Sequence, residues 1–163
     1  MFVRWLMLVL AASVVLVAGC GGSGSGNEVP QDYSGDWIGT LKQKGLHPFQ
    51  VAARIDLAGS GRVAYTGIDC GGTWTGLHFL ASSPPYITVR ERINQGAGGE
   101  CKGSGLVGLH PVNRCEGPEH DQCEIRSIEY TFTGGGVNSQ GLLHRTDTAG
   151  LKSVFDEAGV TPP

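Results

Sequence analysis

FQVAARIDL, residues 49–57, alternates almost strictly. Phe49, Val51, Ala53, Ile55 and Leu57 fall on one side, and Gln50, Ala52, Arg54 and Asp56 on the other. A period of two marks a strand with one buried and one wet face. The rhythm recurs in GDWIGTLKQ (35–43), RVAYTGID (62–69), GTWTGLHFL (72–80), YITVRERI (86–93), CKGSGLVGLH (101–110), SIEYTFT (127–133) and QGLLHRT (140–146), which predicts about eight strands. Gly-Ser-Gly at 59–61, Ser-Ser-Pro-Pro at 82–85, Gln-Gly-Ala-Gly-Gly at 95–99 and Gly-Gly-Gly at 134–136 are turn chemistry between them. Connections this short favour antiparallel neighbours.

Before residue 148 no periodic stretch is long enough for a helix. TAGLKSVFDEAG (148–159) then sets Leu151, Val154 and Phe155 at helical spacing, with Gly159 as a stop. Eight antiparallel strands without a helical layer must hide their apolar faces in a closed barrel or a sandwich. The expectation is therefore all-β: an antiparallel eight-stranded up-and-down barrel with one short C-terminal helix, and a β-sandwich as the alternative.

The chain has 163 residues, enough for one domain with its own core. Apolar residues at 40% and charged residues at 17% fit a globular protein, and 27 glycines fit a turn-rich one. Without the first nineteen residues, eleven basic side chains stand against fifteen acidic ones. That balance offers no basic stripe for nucleic acid and little attraction to an anionic bilayer surface.

MFVRWLMLVLAASVVLVAGC opens with one positive charge, Arg4, then an apolar stretch to Ala18, then small residues. This is the architecture of a secretory signal; a retained anchor helix is the other reading, although a spanning helix needs about 20 apolar residues. Leu16, Val17, Ala18, Gly19 and Cys20 closely resemble a bacterial lipobox. The resemblance implies that the Cys20 thiol receives a diacylglycerol, that cleavage occurs in front of it, and that the protein sits on the extracytoplasmic face of a bacterial membrane. Two acyl chains hold a protein stably where one does so only marginally. Residues 21–31, GGSGSGNEVPQ, read as a flexible tether. The expected organisation is a signal peptide at 1–19, lipidated cysteine and tether at 20–31, barrel at 32–148, and helix with tail at 149–163.

Export places Cys70, Cys101, Cys115 and Cys123 where disulfides persist, and acylation of Cys20 leaves an even number. Of three connectivities, Cys70–Cys101 with Cys115–Cys123 is the preferred one; the short bridge would close RCEGPEHDQC. A competing reading makes His110, Cys115, His120 and Cys123 a zinc site, though H-x4-C-x4-H-x2-C fits no compact zinc module and an oxidising location favours the bridge. No metal or cofactor is expected.

SGDWIGTL, with Gly35, Trp37 and Gly39, resembles the G-x-W signature at the first strand of lipocalin-type and avidin-type barrels, the calycins. The resemblance implies that Trp37 closes the barrel floor against a basic residue on the last strand, for which Arg145 in GLLHRT is the candidate. A helix after the last strand also fits lipocalins. Cys-Gly-Gly at 70–72, Glu91 and Cys101, in that order, are similar to small secreted bacterial domains of unassigned function, including extracellular segments of receptor-type protein kinases. That second resemblance implies no known activity.

An eight-stranded barrel is either just filled by side chains or holds one small ligand. Gly39, Ala53, Gly76 and Gly105 at inward positions would leave space, while Trp37, Phe49 and Tyr130 would take it up. Glu91 shares the apolar face of Ile87, Val89 and Ile93, where a carboxylate is costly unless hydrogen-bonded. It orients a polar ligand, acts as a general base, or serves as a structural partner of Arg145 or a tyrosine hydroxyl.

GSGLVG (103–108) spells G-x-G-x-x-G but lies in a strand with no helix after it, so it lacks the context for pyrophosphate binding. His47, His78, His110, His120 and His144 are scattered, with no nucleophile located beside one, and Glu91 has no evident second carboxylate. No catalytic set emerges. The expected function is a membrane-anchored barrel that binds a small amphiphile or cell-envelope component, its partners being the membrane through acylated Cys20 and a small apolar ligand. The alternative is a protein-interaction domain, an inhibitor or sensor accessory, meeting a cell-surface protein through loops 82–85 and 112–125.

Overall fold

A computed structural model of the chain describes residues 33–80, 86–96, 101, 103–112 and 125–163. Strands β1 (Gly35–Gln43), β2 (Phe49–Ile55), β3 (Gly61–Tyr65), β4 (Cys70–Leu80), β5 (Tyr86–Gln95), β6 (Ser104–Pro111), β7 (Ser127–Gly134) and β8 (Val137–Arg145) precede helix α1 (Thr148–Glu157). Each strand pairs antiparallel with the next, and β8 returns to β1, so the sheet is a closed up-and-down barrel. The closing register runs from Trp37 opposite Arg145 to Gln43 opposite Ser139.

Alternation dictates which side chains fill the interior. Trp37, Leu41, Val51, Ala53, Ile55 and Val63 from the first three strands meet Trp74, Ile87, Val89, Val107, Leu109 and Leu143 from the others, all essentially solvent-free. The glycines expected to leave space instead admit neighbours. A methyl group on Gly105 would lie 2.2 Å from the Phe132 ring, and one on Gly39 would lie 2.1 Å from the Leu142 carbonyl oxygen and 2.8 Å from the Leu143 side chain. Gly76 is not inward at all. It is exposed, with φ +60°, where the β4–β5 register shifts between Thr75 and His78, and Leu77 takes the buried place.

The inner face of β2 ends one alternation early. Leu57 is 54% exposed because the chain turns after Ile55, where Gly59 donates its amide to the Asp56 carbonyl at 3.1 Å. The outer face of β2 is also not uniformly wet. Ile38, Ala52, Ala64 and Gly71 lie side by side across β1 to β4, and helix α1 packs on this row. Asp147 caps the helix by accepting the Gly150 amide at 2.8 Å, Leu151, Val154 and Phe155 are buried, and Gly159, with φ +66°, ends the turn. Side chains larger than alanine at 52 or 64 would hold the helix off the wall.

The two ends of the barrel differ. Tyr33, the 56–60 turn and Arg145 lie at one, which is closed; hairpin turns 44–48, 66–69 and 135–136 ring the other, the mouth. The described chain therefore enters at the end opposite the mouth.

Candidate functional site

Four inward side chains meet below the mouth: Tyr65 from β3, Trp74 and Glu91 from the paired positions of β4 and β5, and Tyr130 from β7. Glu91 is 2% exposed. The Trp74 indole Nε1–H donates to Glu91 Oε2 at 2.9 Å, and the Tyr65 hydroxyl donates to the same oxygen. With its own proton so committed, Tyr65 accepts from the Tyr130 hydroxyl at 2.9 Å. Hydrogen bonds to a charged acceptor are the strong kind, and two of them offset part of the cost of burying a carboxyl group.

Electrostatics follow from the burial. Desolvation raises the Glu91 pKa above its ordinary value, and the bonds from Trp74 and Tyr65 act against that rise. Burial also pushes both tyrosines well above the usual phenol value, with the nearby Glu91 charge adding to the effect. The aromatic rings are packed together: Trp74 stacks on Tyr130 with centroids 6.3 Å apart, and Phe49 meets Tyr65 edge-on at 6.1 Å.

A cavity of about 30 Å³ opens above this cluster. Glu91, Tyr65 and Tyr130 form its deep part, Phe49 and Phe132 its walls, and Gln43 and Ser139 its rim. The Cys70–Cys101 disulfide borders it, with Cα atoms 6.4 Å apart. Gly105 stands opposite Glu91 in the β5–β6 ladder and lets the Phe132 ring lie against the wall. The space holds about two water-sized groups. An acyl chain does not fit inside; only the end of a molecule does.

At the closed end, the Arg145 guanidinium lies 4.5 Å from the Trp37 ring centroid. The indole N–H donates to the Tyr33 carbonyl at 3.0 Å, and Arg145 donates to the carbonyls of Ser34 and Ile125 at 2.8 and 3.1 Å. Arg145 is thus far from Glu91, whose partners are a tyrosine and a tryptophan. Cys20, Cys115, His120 and Cys123 lie outside the described residues, as do loop 82–85 and most of 112–125.

The histidines remain dispersed. His110 stacks on Tyr86 at 4.6 Å, and His144 Nδ1 lies 3.0 Å from the Ser127 hydroxyl on the outer wall. Sequence reading located no hydroxyl beside a histidine, because Ser127 and His144 become neighbours only through the β7–β8 register. Among the described residues no carboxylate orients His144, so the pair lacks the third member of a hydrolytic set. Ser104 to Gly108 of GSGLVG lie within strand β6, so the segment is not placed at a helix N-terminus and presents no phosphate cradle. Tyr65 and Trp74 escaped notice as site residues. Their signal was their place on the same inward face as Glu91.

No protein-family model matches the chain, and a search of curated proteins finds no match.

Proposed function

We propose that this chain is an exported, lipid-anchored barrel that binds the end of a small molecule or cell-envelope component at its mouth. The observation that supports this reading best is a carboxyl group buried beneath the mouth, with a cavity left above it and packed side chains below. A purely structural interior would be cheaper with an apolar residue at position 91. Acylation of Cys20 and the tether at 21–31 give the protein its extracytoplasmic address. The tether reaches roughly 17–20 Å, which keeps the closed end near the bilayer and turns the mouth away from it.

Native mass spectrometry of protein purified from its own host tests the reading. The expected spectrum carries a diacylglyceryl mass on Cys20 and a retained small ligand that leaves on substitution of Glu91. A soluble, unacylated product, or ligand-free protein that no envelope extract shifts, would count against it.

The alternative, a protein-interaction domain at the cell surface, draws on Leu106 and Leu142, exposed on the outer wall at 54% and 38%. Crosslinking at these positions would then capture a partner that substitutions at the mouth do not release.

A further inference from the structure

We infer that the group bound at the mouth is a primary ammonium on a slender stem, held by Glu91 and the surrounding rings. The inference deepens the binding reading above and rests on it. Both donors that reach the carboxyl group converge on Oε2. No donor among the described residues engages Oε1, although the side chain is 2% exposed and lines the cavity. Oε1 is therefore the acceptor that Glu91 offers to a group entering that space.

The cavity chemistry narrows the donor. Tyr130 and Tyr65 pass their hydroxyl protons toward Glu91, which leaves none for an acceptor group on a ligand. The Gln43 side-chain oxygen already accepts from Ser139 at 2.7 Å. Among the described residues no lysine, arginine or histidine lines the cavity, and the aromatic rings of Phe49, Phe132, Tyr65 and Tyr130 around it favour a cation. A carboxylate or phosphate would meet the Glu91 carboxylate with no cationic side chain among the described residues, its one side-chain donor being the Gln43 amide at the rim. A bare calcium or magnesium ion needs about six or more oxygen ligands, and the described residues hold no group of carboxylates, histidines or cysteines suited to a metal.

Size completes the argument, since about 30 Å³ admits a methylammonium-sized head but not a guanidinium or a quaternary ammonium. The titratable groups that face Glu91 are Tyr65 from β3 and Tyr130 from β7. Both titrate far above neutrality, so only Glu91 answers to moderate pH, and a bound cation stabilises its charged form.

The test is a titration of the full chain in detergent, followed through the Trp74 indole N–H resonance, with Trp37 at the closed end as internal control. Ethylammonium should shift the Trp74 signal with a Kd on the order of 1–10 mM, as expected for so few atoms. Ethanol, similar in shape and uncharged, should bind about tenfold or more weakly. Glu91→Gln keeps an acceptor for Trp74 and Tyr65 and should lose about tenfold or more for ethylammonium.

Equal shifts by ethanol and ethylammonium would overturn the ammonium assignment and leave the mouth reading standing. Undiminished ethylammonium binding by Glu91→Gln would do the same, whereas a Trp74 signal that neither compound moves would remove both. The parent protein's own discrimination needs no variant to fold. Free ethanolammonium and vesicles of phosphatidylethanolamine against phosphatidylcholine then separate a soluble amine from a lipid headgroup: a shift by the first alone indicates a soluble amine, and one by the ethanolamine vesicles a headgroup.

Discussion

Trp37 and Arg145, directly opposite each other where the first and last strands pair, lock the closed end of the barrel. The guanidinium lies over the indole while its N–H groups hold the carbonyls of Ser34 and Ile125. A flat, forked cation can stack and donate sideways together; an ammonium cannot. Arg145→Lys should therefore cost about 2–3 kcal/mol although it keeps the charge. Urea denaturation checks this: the midpoint should fall with the slope unchanged.

Glu91 gives the fold a pH dependence of defined sign. Its folded pKa is raised above the ordinary 4.5, so the native state holds the proton more tightly than the unfolded chain does. Its contribution is most favourable below 4.5 and is lost as pH rises through the folded value. Glu91→Gln lacks this titration. The stability difference between the variant and the parent should move in the variant's favour from pH 4 to pH 8, as read from paired denaturation curves. A difference that runs the other way would mean the carboxyl is ionised in the fold at acidic pH.

The Cys70–Cys101 bridge spans 31 positions of sequence. On a chain-entropy estimate, replacing both cysteines by alanine should cost about 3–4 kcal/mol. Since the bridge borders the cavity, reduction should also alter ethylammonium binding measured at Trp74. An unchanged affinity would separate the stabilising role of the bridge from the site.

Gly39 and Gly105 differ in what blocks a side chain. At Gly39 the obstacle is backbone, the Leu142 carbonyl at 2.1 Å, whereas at Gly105 it is first the Phe132 ring at 2.2 Å. Rings rotate more cheaply than strands separate. Gly105→Ala should cost about 1–3 kcal/mol and push Phe132 into the cavity, whereas Gly39→Ala should cost more and reduce the yield of folded protein. Thermal melts of the two variants rank them.

Phe155 carries the docking of α1. The ring is fully buried against the Ala52 and Ala64 row, and its truncation to alanine should cost about 3–5 kcal/mol. Hydrogen exchange would then be expected to speed up in 148–160 before it does in the strands.

The barrel was legible because alternation is a local signal. Alternation alone delimits β1 at Gly35 and Gln43, and the stop predicted at Gly159 stands where the chain leaves the helix, two residues past Glu157. What escaped depends on neighbours supplied by register. Alternation places Ala52 on the wet face, since nothing near it in sequence reveals that Ile38, Ala64 and Gly71 extend it into a helix seat. Glu91 stood out as the odd carboxyl on an apolar face, but Tyr65, 26 positions away, and Trp74, 17 away, became its donors only once the sheet curled. Gly76 was misplaced because a bulge shifts the alternation by a residue that composition does not mark.

The pairing of β8 with β1 has a bearing on how such a molecule behaves among crowded copies of itself. A sheet that ends exposes a row of amides and carbonyls on which another chain can add a strand. Here the main ladder is spent on itself, from Trp37 with Arg145 round to Gln43 with Ser139. Neighbouring copies at high density are thereby denied a backbone template for zipping together, and recognition is left to side chains.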